Sequence, residues 1–344
     1  MTKEGLFGKT LDELKEVVST IGLPKFTASQ IADWLYKKDV NSIDEMHNLS
    51  KSARNKLNEN YTFGTNAPIS EQKSSDGTKK YLFTSESGNF IETAYIPADG
   101  KRNTLCVSSQ VGCKMACEFC MTGRQHFNGN LSAADIVNQL RSLPEWHNVS
   151  NIVYMGMGEP LDNLEEVLKS LEILTSDWGM QMSPRRITVS TIGVISAMKI
   201  FLEKSKANLA ISMHNPFSEE RKDIMPVENA NPIADVIAEL KKHDWDGQRR
   251  VSFEYIIFEG LNHSQKHINK IASLLNGLKS RMNLIRFHEI PDSKFGTTVD
   301  EHLFDFQAKL KAKGIVTTIR ASRGQDIDAA CGLLSTKAMQ NKAK

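Results

Sequence analysis

The 344-residue chain contains no run approaching the roughly 20 apolar residues that a membrane-spanning helix requires. Residues 1–14 are charged and hold no apolar stretch of the kind that directs secretion, so a cytoplasmic protein without a membrane partner is expected. The net charge is only +2, too small to argue by itself for a polyanionic partner. Paired basic residues occur at Lys101/Arg102, Arg185/Arg186 and Arg249/Arg250, where scattered solvated charge is an equally good account. Cysteine is scarce too. There are five, an odd number, and three of them fall within eight residues, which suits metal ligation better than a disulfide framework.

What is present describes a folded protein: 40% of residues are hydrophobic and 24% charged. The length exceeds what one ordinary core fills, so one large catalytic domain with a smaller appendage is expected. Residues 8–60 read as short helices, with Thr10 and Glu13 spaced as a capping box. Residues 64–79, rich in Gly, Ser, Asn and Lys, read as a linker, and a hairpin follows over 80–84 and 90–96.

From Asn103 the pattern becomes strand then helix. Strands are predicted at 105–108, 152–155, 186–190, 209–213, 251–257, 284–288 and 316–320, separated mostly by amphipathic helices. Such alternation builds a parallel sheet with right-handed crossovers, either a barrel or an open doubly wound sheet. In both, chemistry gathers at the C-terminal ends of the strands.

Cys113, Cys117 and Cys120 follow the first of these strands in a C-x3-C-x2-C spacing. Three thiolates on a four-iron cluster leave one iron open, which is what binding and cleaving S-adenosylmethionine needs. A structural zinc would want a fourth ligand, for which His126 is the nearest candidate, and an electron carrier would want a fourth cysteine. At the next strand ends stand Gly156-Met157-Gly158-Glu159-Pro160, then Ser190-Thr191, then Ser212-Met213-His214. Glycines permit close approach to a ligand, Glu159 can accept from an ammonium, and the hydroxyls and imidazole suit ribose and carboxylate. Cys106 and Cys331 remain, each equally readable as a small buried hydrophobe.

Together these residues resemble the RlmN/Cfr family of radical S-adenosylmethionine methyltransferases. The match runs through Ile91-Glu92-Thr93, Leu105-Cys106-Val107-Ser108-Ser109-Gln110-Val111-Gly112-Cys113, Met155 to Leu161, Pro184-Arg185-Arg186, Ser190-Thr191, Ser212 to His214, Met225-Pro226 and Asp326 to Gly332. The resemblance implies a partial (β/α) TIM-like radical-SAM barrel over residues 99–344, a helical RNA-binding accessory domain over 1–65 and a linker with β-hairpin over 66–98. It implies one [4Fe-4S] cluster on Cys113, Cys117 and Cys120. Cofactor contacts would be Gly158, Glu159, Ser190, Ser212, Met213 and His214. His288 stands where many members have Asn, and it is carried as a further cofactor contact.

The implied reaction methylates an adenosine of 23S ribosomal RNA in two stages. One S-adenosylmethionine methylates Cys331; a radical from a second takes hydrogen from that S-methyl group, and the methylene radical adds to the adenine. Release forms a disulfide with Cys106, and Glu92 or Cys106 takes the adenine proton. One branch of the family methylates C2, often of the tRNA adenosine beside the anticodon as well; the other methylates C8. Pro160 resembles the C2 branch. Lys25, Lys37, Lys38, Lys51 and Arg54 are candidates to track RNA phosphates. A monomer served by a one-electron reductant such as flavodoxin is expected. Rival readings are an iron–sulfur electron carrier and an RNA-binding protein with structural zinc.

Overall fold

The computed structural model describes residues 3–98, 102–245, 247 and 249–334. Lys101 of the basic pairs lies outside the described residues. Helix α1 (Leu11–Thr20) begins at the expected capping box: Glu13 N–H donates to Thr10 Oγ1 at 3.3 Å, and Thr10 N–H donates to the Glu13 carboxylate at 2.6 Å. It packs with α2 (Thr27–Lys37). Helix α3 (Lys51–Asn60) leads into β2 (Tyr61–Thr62), which pairs in parallel with the two-residue strand β1 (Glu4–Gly5). This helical layer does not keep a core of its own. Leu14, Ile31 and Leu35 belong to the same buried cluster as the sheet's Val189 and Phe253. Tyr36 packs on Trp178 with ring centroids 5.9 Å apart, and Lys169 on a sheet-covering helix pairs with Glu13 at 2.6 Å.

The antiparallel part of the main sheet comes next: β3 (Ser70–Lys73), β4 (Lys79–Thr84) and β5 (Phe90–Ile96). The hairpin is where the sequence places it. The predicted linker, however, contains β3, whose four residues are all exposed. An edge strand without a buried face has no alternation to detect.

Strand β6 (Thr104–Cys106) pairs antiparallel with β5 and parallel with β9 (Asn151–Tyr154). Between these two lie the small ribbon of β7 (Gln110–Val111) and β8 (Gly129–Asn130), then α4 (Ala133–Arg141). The chain alternates from there through α5 (Leu164–Thr175), β10 (Ile187–Thr191), α6 (Ile195–Lys204), β11 (Asn208–Ser212), the short α7 (Ser218–Lys222) and α8 (Ile233–Leu240). It ends through β12 (Val251–Ile257), α9 (Gln265–Leu275), β13 (Ser280–Arg286), α10 (Asp300–Ala312) and β14 (Val316–Ile319). The ten strands form one row, β14-β13-β12-β11-β10-β9-β6-β5-β4-β3, whose seven barrel strands are parallel. The row has two edges, so the parallel strands make a partial barrel extended by the antiparallel strands.

Every residue of β12 is buried, as expected for a central parallel strand covered on both faces. Strand β13 starts four residues earlier than predicted. Only Met282 and Leu284 are fully buried in it, and Ser280, Arg281 and Asn283 hide its start from an apolar pattern.

Candidate active site

The loop after β6 is fixed by neighbours rather than by its own pairing. Gln139 of α4 acts as a substitute strand: its Oε1 accepts the Ser108 N–H at 2.8 Å and its Nε2 donates to the Ser108 carbonyl at 2.9 Å. Gln110 then bridges to the next motif, accepting the Glu159 N–H at 2.8 Å and donating to Asp162 at 2.7 Å. Gly158 sits at a φ of 97° with a hypothetical Cβ only 2.5 Å from Gln110 Cβ, so no other residue fits without displacing Gln110.

Cys113, Cys117 and Cys120 line one chamber at the C-terminal ends of the strands, with about 780 Å³ of empty space including its mouth. Burial pushes the Cys113 thiol up to about 12 and raises Cys117 and Cys120 as well, so their thiolates call for a cation in the chamber. The three sulfurs do not all lie within 4.8 Å of one another, a limit that only Glu259, His263 and His302 meet among the described residues. Thiolates around one zinc ion stand roughly 3.8 Å apart, given a Zn–S bond of about 2.3 Å in a tetrahedron. His126 does not line the chamber. The structural-zinc alternative fails on both counts, and a wider triad around one cavity fits a cluster in which each thiolate serves a different iron.

Gly158, Glu159, Ser190, Ser212 and His214 line the same chamber. Burial raises the Glu159 carboxyl to about 7, against hydrogen bonds from Thr191 and the Ile192 N–H. An ammonium group would favour its charged form. His214 is buried, and burial lowers it to about 3, so it is neutral. Its Nδ1 accepts the Ile256 N–H at 3.0 Å, which assigns the proton to Nε2 and leaves that N–H as its donor. Met213 departs from the expected set. Strand alternation turns it away from the chamber into the main core, where it is fully buried.

Sequence reasoning missed the groups that hold these strand ends. Arg221 is fully buried; its Nη2 donates to the carbonyls of Ile192 and Ser212, both at 2.9 Å, its Nε to Met213, and its Nη1 to Glu228. It therefore stitches the ends of β10 and β11 together. Glu254 on β12, also buried, accepts from Asn283 at 2.7 Å and from Arg320 at 3.3 Å. A carboxylate inside the mostly apolar run Val251–Ile257 was the signal that could have found it.

Cys331 lines this chamber and also a second cavity that contains Cys106 and His288. His288 thus lines the cavity that holds the two thiols. Arg320 lines both cavities, and the nearby Cys331, Glu254 and Cys106 hold it above its ordinary value. Cys106 is buried and pushed up to about 12 by burial, with Cys331 adding to the rise and Arg320 opposing it. All five cysteines are free thiols, and Cys331 is exposed.

The segment bearing Cys331 is held from a distance. Asp326 accepts from Ser74 Oγ at 2.5 Å and Ser75 N–H at 3.0 Å, while Asp76 accepts the Gly324 N–H at 2.9 Å. The turn between β3 and β4 is therefore a clamp on this segment. Burial opposes the charge on Asp76, yet the N–H groups of Gly324 and Thr78 outweigh it and hold the carboxyl well below the usual range. Across the mouth, Met121 N–H donates to the Gly332 carbonyl at 2.8 Å, tying the cysteine loop to the same segment. Glu92 is buried and pairs with Lys80 at 3.4 Å in a third cavity, on the flank lined by Asp326 and Asp328. The structure does not bring it into the cavity shared by Cys106 and Cys331.

Comparison with known proteins agrees with this architecture. Residues 107–271 match the model of the radical SAM superfamily, and residues 5–62 match the ribosomal RNA large subunit methyltransferase N-terminal domain. The chain is 54% identical to a probable dual-specificity RNA methyltransferase RlmN of Parabacteroides distasonis, covering 97% of both chains. It is 52% identical to the Bacteroides thetaiotaomicron protein of the same description, over 100% of this chain and 99% of that one. A crystal structure of a radical SAM methyltransferase from Sphaerobacter thermophilus, 36% identical, superposes with a TM-score of 0.90 over 96% of this chain and 99% of that one.

Proposed function

The chain belongs to the RlmN family of radical S-adenosylmethionine RNA methyltransferases, and from that premise we propose that it methylates C2 of an adenosine in 23S ribosomal RNA and of the tRNA adenosine beside the anticodon. One observation carries the reading: Cys331 is common to the cofactor chamber and to the cavity lined by Cys106. Cys113, Cys117 and Cys120 would hold the [4Fe-4S] cluster, which supplies one-electron cleavage of S-adenosylmethionine to a 5′-deoxyadenosyl radical.

The chain's own residues do the rest. Glu159 accepts the cofactor's ammonium, Ser190 and Ser212 offer hydroxyls, and His214 donates from Nε2. Cys331 takes a methyl group by displacement, then gives up one hydrogen atom of it, and the carbon it carries bonds to adenine C2. An electron-poor C2 does not attack a sulfonium, so a carbon radical has to be brought to it. Cys106 then joins Cys331 in a disulfide as the methylated base leaves, and the pair must be reduced before the next turnover. Cys106 shares Cys331's cavity and Glu92 does not, which favours Cys106 as acceptor of the C2 proton. Pro160 lines the chamber beside Glu159 and matches the C2 branch of the family.

RNA would approach over the helical layer, where Lys25 and Lys51 are exposed, with the target base unstacked into the mouth. The reading carries with it a cytoplasmic monomer supplied by a one-electron reductant such as flavodoxin; no described helix is long and apolar enough to cross a membrane.

Anaerobically reconstituted enzyme given unmodified 23S RNA, S-adenosylmethionine and reductant should yield 2-methyladenosine by nucleoside mass spectrometry. Cys331→Ala should yield none while 5′-deoxyadenosine still forms. Appearance of 8-methyladenosine instead would overturn the C2 assignment, and methylation by the Cys331 variant would overturn the carrier role.

A further inference from the structure

We propose that Glu259, His263 and His302 form a binding site for one divalent transition-metal ion of the zinc type on the rim of the active-site mouth. One ligand atom from each of the three lies within 4.8 Å of the other two. Glu259 and His263 come from the loop between β12 and α9, and His302 from the first turn of α10.

Two of the three groups are oriented by a partner behind them. His263 Nδ1 stands 3.1 Å from the Phe258 carbonyl, so Nδ1 carries the proton and Nε2 keeps its lone pair. Thr298 Oγ1 donates to Glu259 Oε2 at 2.7 Å, which fixes the carboxylate. His302 Nδ1 lies 3.1 Å from that carboxylate, and its ring stacks on that of His263 at 5.3 Å and 27°. Two imidazoles and one carboxylate are a borderline donor set. They suit zinc and its neighbours over calcium or magnesium, and they leave a fourth position to water.

The location gives such an ion a structural task. Phe258, next to Glu259, packs against Phe119 of the cysteine loop at 5.8 Å and against Phe295 at 4.7 Å. Glu259 N–H also donates to the Gly296 carbonyl at 3.1 Å. An ion here would tie the loop after β12, the turn at Gly296 and α10 into one rim.

The test uses the reconstituted full-length enzyme, equilibrated with buffered free zinc, with zinc and iron measured together. One zinc per chain should bind with iron content unchanged. His263→Ala and His302→Ala should each weaken zinc binding at least tenfold, and Thr298→Val by a smaller factor. Retained iron in these variants reports an intact chamber. No zinc uptake by the native enzyme, or uptake indifferent to both histidine variants, would overturn the site.

Discussion

The cofactor side of the mouth and the side that carries Cys331 are built by different means. On the cofactor side, strand ends β9, β10 and β11 present Glu159, Ser190 and Ser212, and a fully buried guanidinium joins the backbone at the ends of β10 and β11. On the other side, the exposed Cys331 rides a segment beyond β14 that hydrogen bonds tie to a turn some 250 positions away in sequence and to the cysteine loop. The first arrangement suits a group that must not move between turnovers. The second suits a sulfur that changes partners, since a methyl group, an RNA base and a second thiol each have to reach it.

Breaking the cofactor side should have the largest effect. Arg221→Met leaves Glu228 buried without its charge partner, a loss of about 3–5 kcal/mol by analogy with other buried pairs. Thermal unfolding should drop by several degrees, and both 5′-deoxyadenosine and methyladenosine production should disappear together. If radical formation survives in folded protein, the stitch between β10 and β11 is not what organises the cofactor.

Altering the thiol side should separate the two activities. Cys106→Ala should still cleave S-adenosylmethionine, but it cannot form the releasing disulfide. RNA should then stay covalently attached to Cys331, seen as a slow-migrating band on denaturing gels and as an RNA-modified Cys331 peptide. Free methylated RNA at native rates would show that Cys331 is released by another route. A weaker effect should follow from loosening the clamp. Asp76→Asn with Asp326→Asn exchanges charge-assisted hydrogen bonds for neutral ones without changing volume. Displacing a reacting atom by about an ångström costs up to roughly 100-fold. Methyl transfer should therefore fall between about tenfold and that limit, while 5′-deoxyadenosine formation without RNA stays unchanged.

The same contrast governs what could be read from sequence. The cofactor side was legible because its residues follow apolar strands in order, so periodicity locates Glu159, Ser190, Ser212 and His214 at strand ends. Within that run the Met213 side chain faces the core, because adjacent motif residues alternate between faces. The clamp was not legible. Ser74, Asp76 and Thr78 look like linker residues, and their partners become neighbours only once β3 and β4 pair and β14 has delivered the chain to Gly324. Arg221 was missed for a related reason: its role is to satisfy backbone carbonyls, and those leave no trace in residue identity. Glu92 shows what a matched motif leaves out, since identity alone gives no sign of its Lys80 partner or of the separate cavity that it lines.

The smallest effect tests whether the cofactor side is as preorganised as its geometry suggests. Burial raises Glu159 to about 7, above its ordinary 4.5. A group raised in this way stabilises the fold fully below its unfolded pKa, and that contribution is lost as pH rises through about 7. Ligand binding has the opposite sign, because an ammonium needs the carboxylate and a proton competes with it. S-adenosylmethionine affinity of the reconstituted enzyme should therefore weaken as pH falls below 7, by up to roughly tenfold per pH unit. Glu159→Gln should bind more weakly at pH 8 and lose most of this dependence. Equilibrium dialysis from pH 6 to 8 separates the outcomes. A flat profile in the native enzyme would mean that the carboxylate is already ionised before the ligand arrives, with the neighbouring strand-end N–H groups holding its charge.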